Sequence, residues 1–198
     1  MPRPLSCAVA LAVSLVAGPA ALAQPAAREA LPAAEQLAAA VLPLPAEFRA
    51  ASTVLGYGAD GRLTTLRAGT GPFICLAPDP KVTQFHVACY HRSLEPFMAR
   101  GRELRASGVT GDRVDTVRFA EIKSGKLHMP ERAALYTLTG GHFDAATGTA
   151  PGARPLYVVY IPLATAQTTG IPERPAEGTP WIMYPGTPKA HIMFIPKM

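Results

Sequence analysis

Short apolar runs bounded by glycine and proline recur in the second quarter and the last third of the chain. Runs of a few β-branched or aromatic residues are typical of strands, and clusters of Gly and Pro mark the turns between them. The pattern predicts strands at residues 53–55, 62–66, 73–76, 135–139, 156–161, 181–184 and 192–195. The run at 156–161 is continuously apolar, which predicts a strand that is buried on both faces.

Two segments between these runs have helical periodicity instead. In residues 93–106 and 112–124 the apolar side chains share one face of a helix. Pro185 and Gly186 suit the two central positions of a type II turn, so the last two strands should form an antiparallel hairpin. Strands and helices do not alternate as they do in βαβ units. We therefore expect a single α+β domain, a mostly antiparallel sheet with the two mid-chain helices packed on it.

The first 23 residues have the order of a secretory signal peptide. Arg3 supplies a positive charge, an apolar run follows, and Ala21-Leu22-Ala23 has the small residues of a cleavage site. We expect cleavage after Ala23 and a periplasmic or secreted mature protein. An uncleaved membrane anchor is the alternative.

The mature chain divides into a lead-in and a domain. Residues 24–50 are rich in Ala and Pro, and their interrupted helical pattern predicts a loosely attached helical lead-in. Residues 51–198 form the single α+β domain. At about 150 residues, this domain is large enough to fold without a metal or a partner.

The charge of the mature chain is mildly positive. Removal of Arg3 with the signal leaves 18 basic and 14 acidic side chains, a net charge of +4. The densest basic stretch, residues 92–132, is mixed in sign, which is typical of a solvated surface. No second apolar run of about 18 residues follows the signal. The composition predicts a soluble protein that binds no nucleic acid and is not stably inserted in a membrane.

Cys75 and Cys89 are the two cysteines of the mature chain, because Cys7 lies in the signal segment. Two cysteines in an oxidising compartment are expected to pair, with Cα atoms about 4.4–6.8 Å apart. Closure of a loop of about 15 residues is worth about 3 kcal/mol. A reactive or metal-bound thiolate is the alternative.

The common cofactor and catalytic motifs are missing or out of context. Residues 56–61 match GxGxxG, but a β-like run follows where a phosphate-binding helix would begin, so a hairpin turn is favoured. The chain has no GxSxG, HExxH or GxxxxGK[ST]. His86 and His91 are five residues apart, a spacing that places them on opposite faces of a strand. We expect neither a metal site nor a cofactor.

Two blocks of the sequence resemble a group of small secreted bacterial proteins of uncharacterised function. The first is Leu66-Arg67-Ala68-Gly69-Thr70 with Cys75-Leu76, and the second is Trp181-Ile182-Met183 with residues 185–193. The group often has Asn-Gly and an aromatic residue after the Gly-Thr pair, where this chain has Gly71-Pro72-Phe73. The resemblance covers roughly residues 52–195. It implies export and a cysteine pair, and it implies no activity.

The polar residues of the two blocks form the candidate ligand-binding site: Arg67, Thr70, Thr187, Lys189 and His191. Arg67 and Lys189 would favour a small anionic ligand, and His191 would tune the attraction as it titrates. One small ligand can contact both blocks only if Arg67 and His191 lie within about 12 Å of each other. The alternative is that Arg67 is a solvated edge residue and His191 only opens a strand.

No catalytic constellation is present in the sequence, so we expect a non-catalytic binding or interaction module. The first alternative is a small extracytoplasmic hydrolase or lyase that uses His191 or His142 as a general base. The second is an envelope-associated structural protein. A histidine that meets another histidine or a carboxylate in a deep pocket would favour the enzyme.

Overall fold

A computed structural model describes residues 29–176 and 178–196, so the predicted signal peptide lies outside the described residues. The helices are α1 (Ala33–Ala40), α2 (Ala46–Arg49), α3 (Glu95–Ala106), α4 (Arg113–Lys123) and α5 (Ala166–Thr169). The strands are β1 (Thr53–Tyr57), β2 (Leu63–Arg67), β3 (Phe73–Leu76), β4 (His86–His91), β5 (Ala133–Thr139), β6 (Arg154–Tyr160), β7 (Trp181–Met183) and β8 (His191–Phe194). None of the helices in these ranges has the length and apolar character needed to cross a bilayer.

The strands form one sheet in the order β2-β1-β3-β4-β5-β6-β8-β7. Neighbouring strands are antiparallel except β1 and β3, which are parallel. The expected α+β class and the mostly antiparallel sheet are confirmed. The sequence pattern did not predict β4, because this strand begins and ends with histidine and has no glycine or proline at its ends. The two predicted mid-chain helices correspond to α3 and α4, and α1 and α2 lie in the segment expected to be helical, whereas α5 was not predicted.

Each face of the sheet has its own core. The core under α1 consists of Ala40, Leu44, Val54, Phe73, Cys75, Ala77 and Cys89. The core under α3 consists of Ile74, Tyr90, Leu94 and Ala133. Because side chains alternate along a strand, successive residues of β3 and β4 contribute to opposite cores. We call the two sides of the sheet the α1 face and the α3 face.

The lead-in is helical, as predicted, but it is not loosely attached. Ala39 and Ala40 in α1 are fully buried. The Gln36 side-chain amide donates to Tyr57 O (2.9 Å), and its oxygen accepts from Tyr57 N (2.7 Å). A buried amide is stable only when such partners are present, so Gln36 fixes α1 against β1. The lead-in from residue 33 to residue 49 is therefore part of the folded domain.

Cys75 and Cys89 form the predicted disulfide. The two residues lie opposite each other on β3 and β4, and their Cα atoms are 4.0 Å apart, less than expected. Their direct opposition on neighbouring antiparallel strands brings the two Cα atoms close together. Both side chains are fully buried. The thiolate alternative therefore does not apply to these residues.

The prediction that the apolar run of β6 is buried on both faces is wrong. Val158, on the α3 face, is buried, whereas Tyr157, on the α1 face, is 38% exposed. The α1 face is covered at one end by α1 and α2 and at the other by Ile161 and Ile171, which pack against Ile192. The α1 face over β6 lies between these two covers and is open to solvent.

Candidate functional site

Arg67 joins β2 to the chain that precedes β1. Its Nε donates to Ser52 O (3.0 Å), and its Nη2 donates to Arg49 O (2.6 Å) at the last residue of α2. The last carbonyls of a helix have no partner within the helix, so this guanidinium satisfies one of them. Arg67 is therefore engaged inside the fold, while Thr70 in the following loop is exposed.

The glycines after this arginine allow two segments of the chain to cross. A Cβ at Gly69 or Gly71 would collide with the backbone of Ala51 or Ser52. Gly71 N donates to Ala51 O (2.7 Å), and Arg92 Nη2 donates to Gly69 O (2.9 Å) and Gly71 O (3.1 Å). Packing and backbone hydrogen bonds thus explain most of the first sequence block.

The second group of candidates lies in the β7–β8 hairpin. Thr187 N donates to Tyr184 O (3.2 Å) and Gly186 has φ 70°, which confirms the predicted turn. Thr187 Oγ1 donates to the same carbonyl (2.8 Å). Tyr184 has φ 54° and Leu163 has φ 65°, a left-handed backbone that residues with side chains rarely adopt. Leu163 N donates to Thr187 O (2.9 Å), so the two strained residues lie on adjoining loops.

Lys189 is held by α4 rather than directed to solvent. Its ammonium group forms an ion pair with Asp115, which also pairs with Arg118, and it lies 3.5 Å from the centre of the Tyr184 ring. Burial works to raise the pKa of the Asp115 carboxyl, but the hydrogen bonds from Lys189 and Arg118 outweigh it and hold this pKa below its ordinary value. The charge of Lys189 is therefore compensated within the protein.

Arg118 connects the same ion pair to α3. Its guanidinium carbon lies 3.7 Å from the centre of the Phe97 ring, and Nη1 donates to Phe97 O (3.2 Å). The side chain is 8% exposed, and Nε is the buried side-chain polar atom without a partner among the described residues. Asp115 is thus the acidic partner shared by two largely buried cations, Arg118 and Lys189.

His191 is oriented by the backbone of its own hairpin. A carbonyl can only accept, so Nδ1 carries the proton and donates to Lys189 O (2.7 Å). The ring lies 4.9 Å from the Tyr160 ring and 5.8 Å from the Tyr184 ring, measured between centroids. Burial lowers the pKa of His191. The lowered pKa favours the neutral imidazole, in which Nε2 is an acceptor.

The two sequence blocks do not meet. Arg67 ends β2 at one edge of the sheet, and His191 begins β8, with five strands between them. At about 4.8 Å per strand, the separation along the sheet is about 29 Å. One small ligand therefore cannot contact Arg67 and His191 together, and the candidates divide into an Arg67–Thr70 group and a Thr187–Lys189–His191 group.

An aromatic row crosses the α1 face of the sheet. The ring centroids of Phe48 and Phe73 are 5.1 Å apart, those of Phe73 and Tyr136 are 5.7 Å apart, and those of Tyr136 and Tyr157 are 5.3 Å apart. Phe194 on β8 lies opposite Tyr157 and extends the row by one strand. Such tilted contacts at 4.5–7 Å are favourable for aromatic rings, so the row is fixed by its own packing.

The last two members of this row are open to solvent. Tyr157 and Phe194 are each 38% exposed, whereas Phe73, near the other end of the row, is buried. Next to them, Val159, Ala134 and a few neighbours line an open groove of about 330 Å³. The row therefore passes from the core of the domain to an exposed apolar surface, which we call the aromatic surface (Tyr136, Tyr157, Val159 and Phe194).

The sequence did not indicate the aromatic surface. Residues 156–160 read Leu-Tyr-Val-Val-Tyr, which lacks the polar alternation that would mark one face as solvated. Which face is covered depends on α1 and on the segment after β6, and neither is encoded in the strand itself. The partial exposure of two tyrosines and a phenylalanine is a property of the tertiary structure.

The other histidines do not form a metal cluster. His86 and His91 lie five residues apart on β4 and hence on opposite faces. Over residues 29–176 and 178–196, no group of three or more His, Cys, Asp and Glu side chains could hold a metal ion. His142 lines a cleft of about 220 Å³ together with Asp79. The chain matches no protein-family model, no curated protein and no solved structure.

Proposed function

We propose that this protein is an exported, non-catalytic interaction domain that binds a protein partner through its aromatic surface. The observation that carries the proposal is the pair Tyr157 and Phe194, opposed on neighbouring strands and each 38% exposed. Tyr and Phe are enriched in protein interfaces, where they supply much of the binding energy. Among the described residues, Val82, Leu163, Tyr184 and Ile195 are more exposed, but Tyr157 and Phe194 are directly opposed on neighbouring strands and form one contiguous apolar patch.

The size of the exposed area fits the centre of an interface. An aromatic side chain has roughly 150–250 Å² to bury, so each exposed part is roughly 80 Å². At about 25 cal/mol per Å², burial of each against a partner contributes about 2 kcal/mol. Two adjacent residues of this size correspond to an interface hot spot, and the surrounding groove would complete the contact.

The aromatic surface is rigid before binding. The Cys75–Cys89 disulfide lies in the same row across the strands, since Cys89 is opposite Tyr136 and Tyr136 is opposite Tyr157. A preordered surface loses little conformational entropy when a partner binds. The disulfide also supports the proposed export, because such bonds persist in oxidising compartments.

Photo-crosslinking in the producing cell tests the proposal. A benzophenone amino acid replaces Tyr157 in one variant and Phe194 in another, and Val82, which is 50% exposed on the β3–β4 connection, in the control. We expect a discrete adduct with one other protein from positions 157 and 194 and none from position 82. Phe194→Ser should reduce the yield of the adduct formed at position 157, and Tyr157→Ser should reduce the yield of the adduct formed at position 194.

The outcomes separate the proposal from its rivals. Equal adducts from all three positions, or none from 157 and 194, would refute the aromatic surface as a binding site. An adduct with a second copy of the chain would replace a partner complex with self-assembly, which fits the alternative of a structural protein. Far-UV and near-UV circular dichroism confirm that each variant folds.

A second candidate function, a small hydrolase or lyase, is favoured by the cleft that His142 shares with Asp79. A histidine and a carboxylate in one cleft meet the first requirement for general-base chemistry. The test is turnover of small molecules from a host extract, followed by mass spectrometry, with wild type, His142→Gln and His191→Gln. Turnover that is lost in one histidine variant and kept in the other would establish the enzyme.

A further inference from the structure

Unpaired positive charge of the protein gathers at a site outside the two sequence blocks. A cleft of about 580 Å³ lies between the β1–β2 hairpin, the β3–β4 connection and the C-terminal turn of α3. Its basic lining residues are Arg62, Lys81, Arg102 and Arg105, and its acidic lining residue is Glu103. Three separate segments of the chain thus bring four cations to one concave surface.

The carboxylates near this cleft are already engaged. Glu103 pairs with Arg100 (3.2 Å), and Glu95 pairs with Arg102 (2.7 Å). Among the described residues, no carboxylate lies within ion-pair distance of the side chains of Arg62, Lys81 or Arg105, and no hydrogen bond of these side chains is present. These three cations therefore have capacity to bind an anion.

Short turns fix the backbone under two of the three cations. Asp60 Oδ1 accepts from Arg62 N (3.0 Å), and Asp79 Oδ1 accepts from Lys81 N (2.9 Å). Burial and a hydrogen bond to Asp79 raise the pKa of Tyr57, which forms one wall of the cleft, to about 12. Asp60 and Asp79 thus accept hydrogen bonds from nearby donors, and these bonds fix the turns that carry Arg62 and Lys81.

We propose that this basic cleft binds a small ligand with two or more oxyanion groups. Arg62 and Arg105 each present a planar guanidinium that can bind two oxygens of a phosphate, sulfate or carboxylate, and Lys81 adds a mobile point charge. The cleft is wide enough for a ligand of drug size. This inference is independent of the aromatic surface, because it depends on none of the same residues.

Isothermal titration calorimetry at low ionic strength tests the inference. Tripolyphosphate and citrate are the probes with several oxyanion groups, and orthophosphate is the comparison with a single one. The variants are Arg62→Gln, Lys81→Gln and Arg105→Gln. Arg154→Gln is the matched control, because Arg154 is exposed on β6 and also lacks a charged partner in the described chain. We expect one bound probe per protein, tighter for a multivalent probe than for orthophosphate, and weaker in higher salt.

Each cleft variant should weaken binding of the multivalent probe about 5- to 10-fold, while Arg154→Gln changes it less than about 2-fold. The probe that binds more tightly identifies phosphate or carboxylate as the preferred group. Absence of binding for both multivalent probes at millimolar concentration would overturn the proposal. An equal loss in the cleft variants and in Arg154→Gln would also overturn it, because binding would then follow net charge. Unchanged thermal midpoints show that the variants fold.

Discussion

Asp115→Asn should destabilise the protein more than any other single removal of a carboxylate from α4. Asp115 is the shared anion of Lys189 and Arg118, and it ties the β7–β8 hairpin to α4. The exposed fractions of the side chains are 20% for Asp115, 15% for Lys189 and 8% for Arg118. The substitution keeps the shape of the side chain and leaves two largely buried cations without a counter-charge.

The magnitude follows from the burial of the three groups. Removal of one partner from a buried ion pair costs about 3–5 kcal/mol, because the remaining charge is uncompensated. A fifth of Asp115 stays hydrated and Asn can still accept one hydrogen bond, so we expect a loss of about 2–3 kcal/mol. Lys189→Met should cost only about 1 kcal/mol, because Asp115 then still pairs with Arg118.

Denaturant unfolding followed by fluorescence provides the measurement. Trp181 is the single tryptophan, it is 8% exposed, and it lies in β7 next to the hairpin. Glu121→Gln is the matched control, because Glu121 is also on α4 and pairs with an arginine of α3, Arg100 (2.7 Å), in a more exposed position. Solvent screens that pair more strongly, so Glu121→Gln should destabilise the protein less than Asp115→Asn.

A loss for Asp115→Asn below about 1 kcal/mol, or one no larger than that of Lys189→Met, would refute the shared-anion interpretation. The double variant Asp115→Asn, Lys189→Met completes a mutant cycle. We expect its loss to differ from the sum of the two single losses by at least about 0.5 kcal/mol, since contacting groups are not additive. Additive losses would show that Asp115 stabilises the fold through Arg118 alone.

Three further predictions concern acid stability, the disulfide and backbone strain. Folding lowers the pKa of Asp115, so the contribution of Asp115 to stability is present above its unfolded pKa and is lost as pH falls through the folded pKa. The difference in unfolding free energy between wild type and Asp115→Asn should therefore be constant from about pH 7 to 5 and shrink below about pH 4. Replacement of Cys75 and Cys89 by alanine should lower the free energy of unfolding by about 3 kcal/mol in urea, and an effect below about 1 kcal/mol would contradict the loop-closure argument. Leu163 is 62% exposed with φ 65°, so the Leu163→Gly variant should be more stable than the Leu163→Ala variant by about 0.5–1 kcal/mol in thermal unfolding. The control is Ala120→Gly at an exposed position of α4, which should cost about 1 kcal/mol in the same measurement.

Local pattern was sufficient where a strand or a turn depends on its own residues. The predicted strand at 73–76 agrees with β3, and the Pro185-Gly186 turn is present because those two residues favour its dihedral angles. The loop around Gly61 is a hairpin turn, as expected, with Gly61 N donating to Gly58 O (2.9 Å). The sequence signals of these features are local, although β3 is stabilised by its pairing with β1 and β4.

The site could not be predicted, because its chemistry depends on distant partners. Lys189 looked like a free cation, but its counter-charge Asp115 is 74 residues away in sequence. Arg67 also looked free, but its guanidinium binds the backbone carbonyls of Arg49 and Ser52. Neither the ion pair nor the carbonyl partners leave a local signal in the sequence. The sequence shows how many side chains are charged, but the fold decides which of them are free to bind a ligand.

The order of the strands has a consequence for how the sheet assembles as the chain is synthesised. β3 pairs with β1, and β4, β5 and β6 each pair with the strand before them in the chain, so this part of the sheet grows at one edge as the chain emerges from its N-terminus. Among the described strands, only β8 lies between two strands that precede it in the chain, β6 and β7. The outermost strand, β7, emerges before β8 but has no place until β8 has paired with β6. The β7–β8 hairpin therefore completes this edge of the sheet. Until the hairpin pairs with β6, this strand has an unpaired edge next to the exposed Tyr157. At that stage the emerging chain is most prone to aggregate with other chains.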